Sequence, residues 1–288
     1  MTLAPDQLVA AVAEAAAVVR ATWNERPRAA IILGTGLGSL AEHIAIEAEW
    51  SYRDLPHFAR STADGHRGRL LAGRLANVPI LAMDGRFHPY EGYSFSQITF
   101  PVRVFAELGT SFLIVSNASG GLNPTLRSGD ILLIDDHINL MGTAGSCPAE
   151  CRKPMADDRP PDPAFQRPQL PFYDERLRLL AQQIAAEEQI ALRRGTYIAM
   201  LGPNYETRAE YRWLRTLGDV VGMSTVPEVT VAREVGLPAI AFSMVTNVFR
   251  PDDVQQTTSD EVIAAASNSE PNLRRIVTRL LNAVARSP

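Results

Sequence analysis

Ala29-Ala-Ile-Ile-Leu-Gly-Thr-Gly-Leu-Gly38 is the stretch on which the fold turns. Its first five residues are uniformly apolar, too short a run for a buried helix, and read as a buried strand. Gly34-Thr-Gly-Leu-Gly38 then forces a turn ahead of a helix. The unit recurs downstream: Ser111-Phe-Leu-Ile-Val-Ser116 is a second buried strand, ending in the glycine-bearing turn Asn117-Ala-Ser-Gly-Gly121. Working outward, residues 6–23 carry Leu8, Val9, Val12, Ala16, Val19 and Trp23 at helical spacing, and Pro27 ends that helix. Residues 68–83 read as two strands turning near Asn77. Ser94 caps a helix that runs to about Leu108 and stops at Gly109. Further strands are expected at Asp130–Ile134, Thr196–Leu201, Asp219–Gly222 and Ala239–Ser243. Helices are expected over Thr207–Leu217, over Pro227–Val235 and from about Ser259, with Pro271 breaking or restarting the last one. Met141 to Phe172 is rich in Pro, Asp and Arg without periodicity and reads as a long loop. Alternating strands and helices predict an α/β fold: a single domain over residues 1–288, with a central mixed twisted sheet flanked by helices.

Composition narrows the chemistry. Of 28 basic residues only Lys153 is a lysine, and 32 acidic residues leave a net charge of −4. A Walker-type loop or a Schiff-base enzyme needs a lysine at a defined place. Lys153 sits in Cys147-Pro-Ala-Glu-Cys151-Arg-Lys-Pro and fits neither. Any phosphate must therefore be held by Arg, His, hydroxyls and backbone amides. The charge balance carries no footprint for nucleic acid, and no segment reaches the apolar length of a membrane span. No signal peptide is evident, and Cys147 and Cys151 lack the second pair of a zinc site. A reduced, cytoplasmic protein is expected.

Several clusters could carry reactions. The amides of Gly34–Gly38 can cradle a phosphate at a helix start, although the spacing is poor for a dinucleotide fingerprint. Arg86-Phe-His88-Pro-Tyr90-Glu91-Gly92-Tyr93 crowds an oxyanion fork, a proton carrier and a carboxylate able to orient one of them. Read alone, it is also a solvated loop with a local Arg–Glu pair. Thr35, Asn117, Glu206, Ser224 and Asn247 each stand at a strand end, where ligands gather in α/β sheets. Asp135-Asp136-His137 is discounted as a metal site, because neighbouring strand residues point to opposite faces. His43 and His57 read as structural or surface residues.

Taken together these segments resemble the trimeric purine nucleoside phosphorylases of the nucleoside phosphorylase family, over about residues 29–262. The resemblance rests on Gly34–Gly38, Gly85-Arg-Phe-His-Pro-Tyr-Glu-Gly92, Asn117-Ala-Ser-Gly-Gly-Leu-Asn123, Gly202-Pro-Asn-Tyr-Glu-Thr207, Gly222-Met-Ser-Thr-Val-Pro-Glu228 and Thr246-Asn247. It implies a nucleoside phosphorylase/hydrolase-like fold and reversible phosphorolysis of purine nucleosides to free base and pentose 1-phosphate. It also implies a homotrimer and no cofactor or metal, inorganic phosphate being a co-substrate. By the same resemblance Thr35, His66, Arg86, His88, the amide of Ala118 and Ser224 hold phosphate. Tyr90 and Met223 meet the pentose, Tyr205 covers the base, and Glu206 and Asn247 meet its polar edge. His88, Glu206 and Asn247 are the catalytic candidates.

These residue types suit the reaction, because bond breaking leaves positive charge on the sugar and negative charge on the purine. Asn247 can donate to N7, and an ionised Glu206 accepts from N1–H. Adenine has a lone pair at N1, so the pairing predicts 6-oxopurines such as hypoxanthine and guanine over adenine. The related methylthioadenosine phosphorylases carry an Asp where Asn247 stands. Two departures from the family bear on specificity. Ser259 stands nearest to its usual 5′-hydroxyl-binding His, and the 141–172 loop lacks its Asn-Pro-Leu stretch. In the family a Phe of this loop enters a neighbouring subunit, a place open here to Phe165 or Phe172. The alternatives are a phosphorylase for 5′-modified nucleosides or xanthosine, or a non-catalytic purine-binding relative.

Overall fold

Ala29–Leu33 forms strand β1, buried along its whole length, and it sorts the core into two layers. Ala30 and Ile32 face one layer, Ala29, Ile31 and Leu33 the other, as the period-2 alternation of a strand requires. The computed structural model describes residues 5–35, 38–63, 65–142, 171–250 and 258–285. Helices α1 (Pro5–Thr22), α3 (Phe95–Glu107) and α6 (Val226–Glu234) cover the first face. The second is covered by α2 (Gly38–Ala41), α4 (Glu175–Glu187) and α7 (Ser259–Ala285). Among the described residues no helix is long and apolar enough to cross a membrane.

The strands form one mixed nine-stranded sheet. β1 lies between β4 (Val78–Asp84) and β5 (Phe112–Gly121), parallel to both. Outside β4, β3 (Arg69–Leu75) and β2 (Ala45–Ser51) follow in antiparallel order to an open edge. On the other side β5 runs parallel to β9 (Ala239–Val248). From β9 the ladder passes through β6 (Ile131–Asn139), β7 (Leu192–Ala199) and β8 (Val220–Gly222), and β8 pairs back onto β5 at Gly120–Gly121. That half of the sheet is therefore a closed ring of five strands. Helix α5 (Arg208–Leu214) adds Leu214 to a small apolar cluster with Ile198 and Val221 of the ring and Leu122 just past β5.

Local signals account for many boundaries. Ser94 caps α3 by accepting from the Gln97 amide, Gln97 reaches back to the Ser94 amide, and Gly109 after the helix takes φ +79°. Ala76 and Asn77 make the β3–β4 turn with φ of +54° and +66°. The α1 stripe runs through Ala11, Val12, Ala15, Ala16, Val19 and Trp23, leaving the expected Val9 exposed.

Three expectations need correction. Asn117–Gly121 is not a turn but the second half of β5, held in register by Ala118↔Met244 and its neighbours on β9. The helix after the first glycine turn is a single turn, α2, so it offers the free N–H groups of one turn and little macrodipole. Pro271 lies inside a continuous α7. An interior proline costs about 3 kcal/mol, yet Leu273, Ile276, Val277, Leu280 and Leu281 are all fully buried on the next turns. At roughly 2 kcal/mol each, that burial outweighs the broken helical bond.

Candidate active site

The ends of β1, β4, β5, β8 and β9 open onto one cleft, closed on its far side by the segment after β7. Gly34, at the end of β1, lies against the Ser116 carbonyl and Asn117 Cα so closely that a Cβ there would overlap the β5 backbone. Glycine is thus required for β1 and β5 to meet, whatever its amides bind. Gly202, with φ +70°, makes room in the same way for Met223 and Tyr90. The cleft is lined by Thr35, Arg86, His88, Tyr90, Ala118, Tyr205, Glu206, Met223, Ser224 and Asn247. These residues come from six separate segments, and all belong to the set expected from the sequence.

The expected phosphate end has the most developed hydrogen bonding. Arg86 is 2% exposed. Its Nη1 donates to Glu228 Oε1 at 3.2 Å and to Thr225 Oγ1 at 3.3 Å. Nη2 donates to the carbonyls of Ile32 and Ser116, and Nε is left without a partner. The fork is thus largely committed inside the protein, and Nε is its spare donor. Asn117 Nδ2 donates to Thr225 Oγ1 at 2.8 Å, and the Ser243 hydroxyl donates towards Asn117 Oδ1 or Ser119 Oγ, both at 2.6 Å. These links tie β5, β9 and the start of α6 into one buried polar network.

Thr225 is the strained point of that network. It is fully buried with φ +74°, ψ −51°, and the Val226 amide donates to the Ser224 carbonyl at 2.8 Å. This is the rare positive-φ γ-turn, which costs a β-branched residue about 1–3 kcal/mol. It sets Ser224 on the cleft wall, where the Ser224 amide donates to the Tyr197 hydroxyl at 3.2 Å. Burial pushes the Tyr197 hydroxyl up to about 12, so it remains protonated.

His88 is held from three sides. Glu91 Oε1 lies 2.9 Å from His88 Nδ1 and accepts from the His88 amide at 2.7 Å, while Oε2 accepts from the Thr62 amide and hydroxyl. Burial alone would raise the Glu91 carboxyl, but the hydrogen bonds from His88 and Thr62 outweigh it and hold Glu91 at about 2. Ionised Glu91 accepts the hydrogen bond from Nδ1–H, leaving Nε2 for a ligand. The imidazole is sandwiched between Tyr90, at 4.7 Å between ring centroids, and His66, at 5.3 Å. His66 is the expected site residue that does not line the cleft. It stands behind His88 with Nδ1 against the Arg86 backbone, and its Nε2 is buried without a partner. Burial, then the neighbouring His88 and Arg86, lower it to about 4.

At the opposite end, Thr246 Oγ1 lies 3.1 Å from both the Ser119 carbonyl and Asn247 Oδ1. The contact anchors the Asn247 amide beside the cleft, which Asn247 lines. Burial raises the Glu206 carboxyl, its own backbone amide and the Tyr211 hydroxyl work against that, and Glu210 adds to the rise. Tyr205, with 55% of its surface exposed, forms the rim.

Sequence reading did not pick out Ser119, Thr225, Tyr211 or Val262 as separate site residues. Tyr211 is the one with a signal, an aromatic residue one turn after the Thr207 cap and so above Glu206. Val262 comes from α7, which Ser259 opens. Phe172 packs within its own chain, against His137 at 4.6 Å and beneath Arg233. Phe165, Cys147 and Cys151 lie outside the described residues. In the Asp135–His137 cluster, Asp135 takes Arg178 and Arg194, while His137 meets Tyr173. Among the described residues no group of three His, Cys, Asp or Glu is placed to hold a metal ion.

Residues 28–282 match the model of the phosphorylase superfamily, which defines the class. The chain is 41% identical over 269 residues to purine nucleoside phosphorylase 1 of Bacillus subtilis (strain 168), covering 93% of this chain and 96% of that one. It is 43% identical over 270 residues to the purine nucleoside phosphorylase of Mus musculus, covering 90% of each. The Bos taurus purine nucleoside phosphorylase is 42% identical over 274 residues, with 91% and 90% covered. The chain belongs to the phosphorylase superfamily and, within it, to the purine nucleoside phosphorylases.

Proposed function

We propose that the protein catalyses reversible phosphorolysis of 6-oxopurine nucleosides and deoxynucleosides such as inosine and guanosine, giving free purine and pentose 1-phosphate. The observation that carries this reading is the polarity of the cleft. Residues able to donate to an oxyanion (Arg86, His88, Ser224, Thr35, the Ala118 amide) gather at one end, and the Glu206–Asn247 acceptor–donor pair stands at the other. Phosphate at the first end attacks the anomeric carbon and offsets the positive charge that builds on the sugar. Tyr90 and Met223 hold the pentose between the two ends. As the glycosidic bond breaks, negative charge collects on the purine, and Asn247 Nδ2 donates to N7 where that charge is greatest. Glu206 accepts from N1–H of a 6-oxopurine. Adenine would set a lone pair against the same carboxylate and leave a buried acceptor unpaired.

On this reading the protein is a single-domain, cytoplasmic homotrimer, a state that sedimentation velocity of the purified chain tests directly. The activity is tested by incubating inosine, guanosine, adenosine, xanthosine and methylthioadenosine with and without phosphate. Phosphate-dependent release of hypoxanthine and guanine is expected, with adenosine far behind. Base release without phosphate would make the protein a hydrolase, and faster turnover of adenosine than inosine would remove Glu206 from its assigned role.

A further inference from the structure

Two aromatic residues at the base end of the cleft have no part in the reading above. Tyr211 lines the cleft beside Glu206, and its ring lies flat on Phe249, with centroids 4.1 Å apart and planes 18° from parallel. The two come from different elements, Tyr211 from α5 and Phe249 from just beyond β9, so the stack joins both walls of the base end. Tyr211 is placed by the start of α5. Thr207 accepts from the Glu210 amide, Glu210 reaches back to the Thr207 amide, and the Tyr211 amide donates to the Thr207 carbonyl at 2.9 Å. The first turn of α5 is thus fixed from the Thr207 cap to Tyr211, which sets the Tyr211 hydroxyl on the cleft wall beside the Glu206 carboxyl.

We infer that Tyr211 is a positioning and specificity-determining residue: its hydroxyl, braced by the Phe249 ring, occupies one carboxylate oxygen of Glu206 and leaves the other to accept from the N1–H of the base. This rests on the assignment of Glu206 to the base edge. A carboxylate with one oxygen already held cannot swing freely, so its remaining lone pairs meet the purine plane at a set angle. The hydroxyl also favours the ionised form of Glu206 against the burial that raises it. The other groups facing this carboxylate do not replace that donor. Glu210 opposes ionisation, Tyr205 sits at the rim, and His88 and Arg86 are engaged at the phosphate end. A protonated Glu206 could donate to adenine N1, so Tyr211 also acts against adenosine.

Tyr211→Phe keeps the stack and removes only the donor. Loss of a hydrogen bond to a charged group predicts about a tenfold fall in kcat/KM for inosine, with KM for phosphate unchanged. The inosine-to-adenosine ratio should fall, and the acid limb of the inosine pH profile should move to higher pH. Phe249→Leu, which removes the ring brace, should shift the ratio the same way. A Tyr211→Phe enzyme with unmoved acid limb and unmoved ratio overturns the inference, including when all activities drop together. Glu206→Gln separates this from failure of the underlying site: if that variant keeps full inosine activity, the base-edge assignment itself falls.

Discussion

Arg86 and Glu228 set the electrostatics of the site at the scale of single residues. Each is about 2% exposed, and each carries one polar atom without a partner, Arg86 Nε and Glu228 Oε2. A buried pair of this kind adds little net stability, but loss of one partner would strand the other charge. The pair therefore holds the guanidinium in one place on the cleft wall and offsets its charge inside the protein. On the proposed reading Asn247 acts at the other end, through one hydrogen bond that matters only as charge develops on the leaving base. Asn247→Ala should lower kcat for inosine by about 10²–10³-fold and change phosphate KM little. Steady-state kinetics with both substrates varied would show this, and equal losses in both would refute the leaving-group role. His66 gives a prediction in stability. Its value falls from 6.5 unfolded to about 4 folded, so between those pH values the unfolded chain binds the extra proton. Stability is then greatest above pH 6.5 and declines as pH drops towards 4, by up to about 3 kcal/mol from this residue. Urea unfolding at pH 7 and pH 4.5 should show a smaller difference for His66→Asn than for the parent, and identical differences would mean that His66 is not the source.

At the scale of elements, Pro271 offers a clean measurement because it is exposed on α7 while the opposite face is buried. Pro271→Ala restores an interior N–H and should stabilise the protein by about 1–3 kcal/mol. Differential scanning calorimetry would report a higher Tm, with kcat untouched; a lower Tm would mean that the proline fits a bend the helix needs. The sequence is a poor guide to this helix because a local breaker signal competes with burial of a stripe farther along the chain. The same physics lengthened β5 and β9. Asn117, Ser119, Gly120 and Asn247 have turn-forming chemistry, but pairing between the two strands and their shared polar network satisfies those groups within the sheet. Strands β2 and helix α4 have no counterpart in the sequence reading for a different reason. Most of β2 is exposed, so it shows no strong periodic signal, whereas α4 carries Leu177, Ala181, Ile184 and Ala185 at helical spacing after the Asp174 cap, a signal the sequence reading passed over. The cleft residues were more legible than the element boundaries, since each sits in a short motif of fixed local chemistry. Thr225 escaped because its partners, Arg86 and Asn117, are distant in sequence.

At the scale of the whole molecule, the sheet combines a closed ring of strands with a fan that ends at β2. The cleft lies along the junction, where β5 belongs to both parts. Ring closure satisfies the backbone of β5 and β9 on both sides, so movement of the cleft wall there would require several ladders to break together. Hydrogen exchange should accordingly be slowest for the amides of Val115, Ala241 and Phe242, all buried in the shared strands. The fan has a different consequence. A ring has no edge to offer another chain, so the free backbone groups of the described sheet are concentrated on β2, a natural template for strand-to-strand aggregation. Glu47 and Glu49 stand on that strand, and its pairing with β3 is interrupted between Ile46 and Ala48. Charge and irregular register together make the edge a poor template. Glu49→Val should raise light scattering on heating while leaving phosphorolysis unchanged at low temperature; unchanged scattering would show that the irregularity alone suffices. That prediction makes the edge of Glu47 and Glu49, paired with Arg74 and Arg69, the guard of colloidal stability for a fold whose other half has sealed itself.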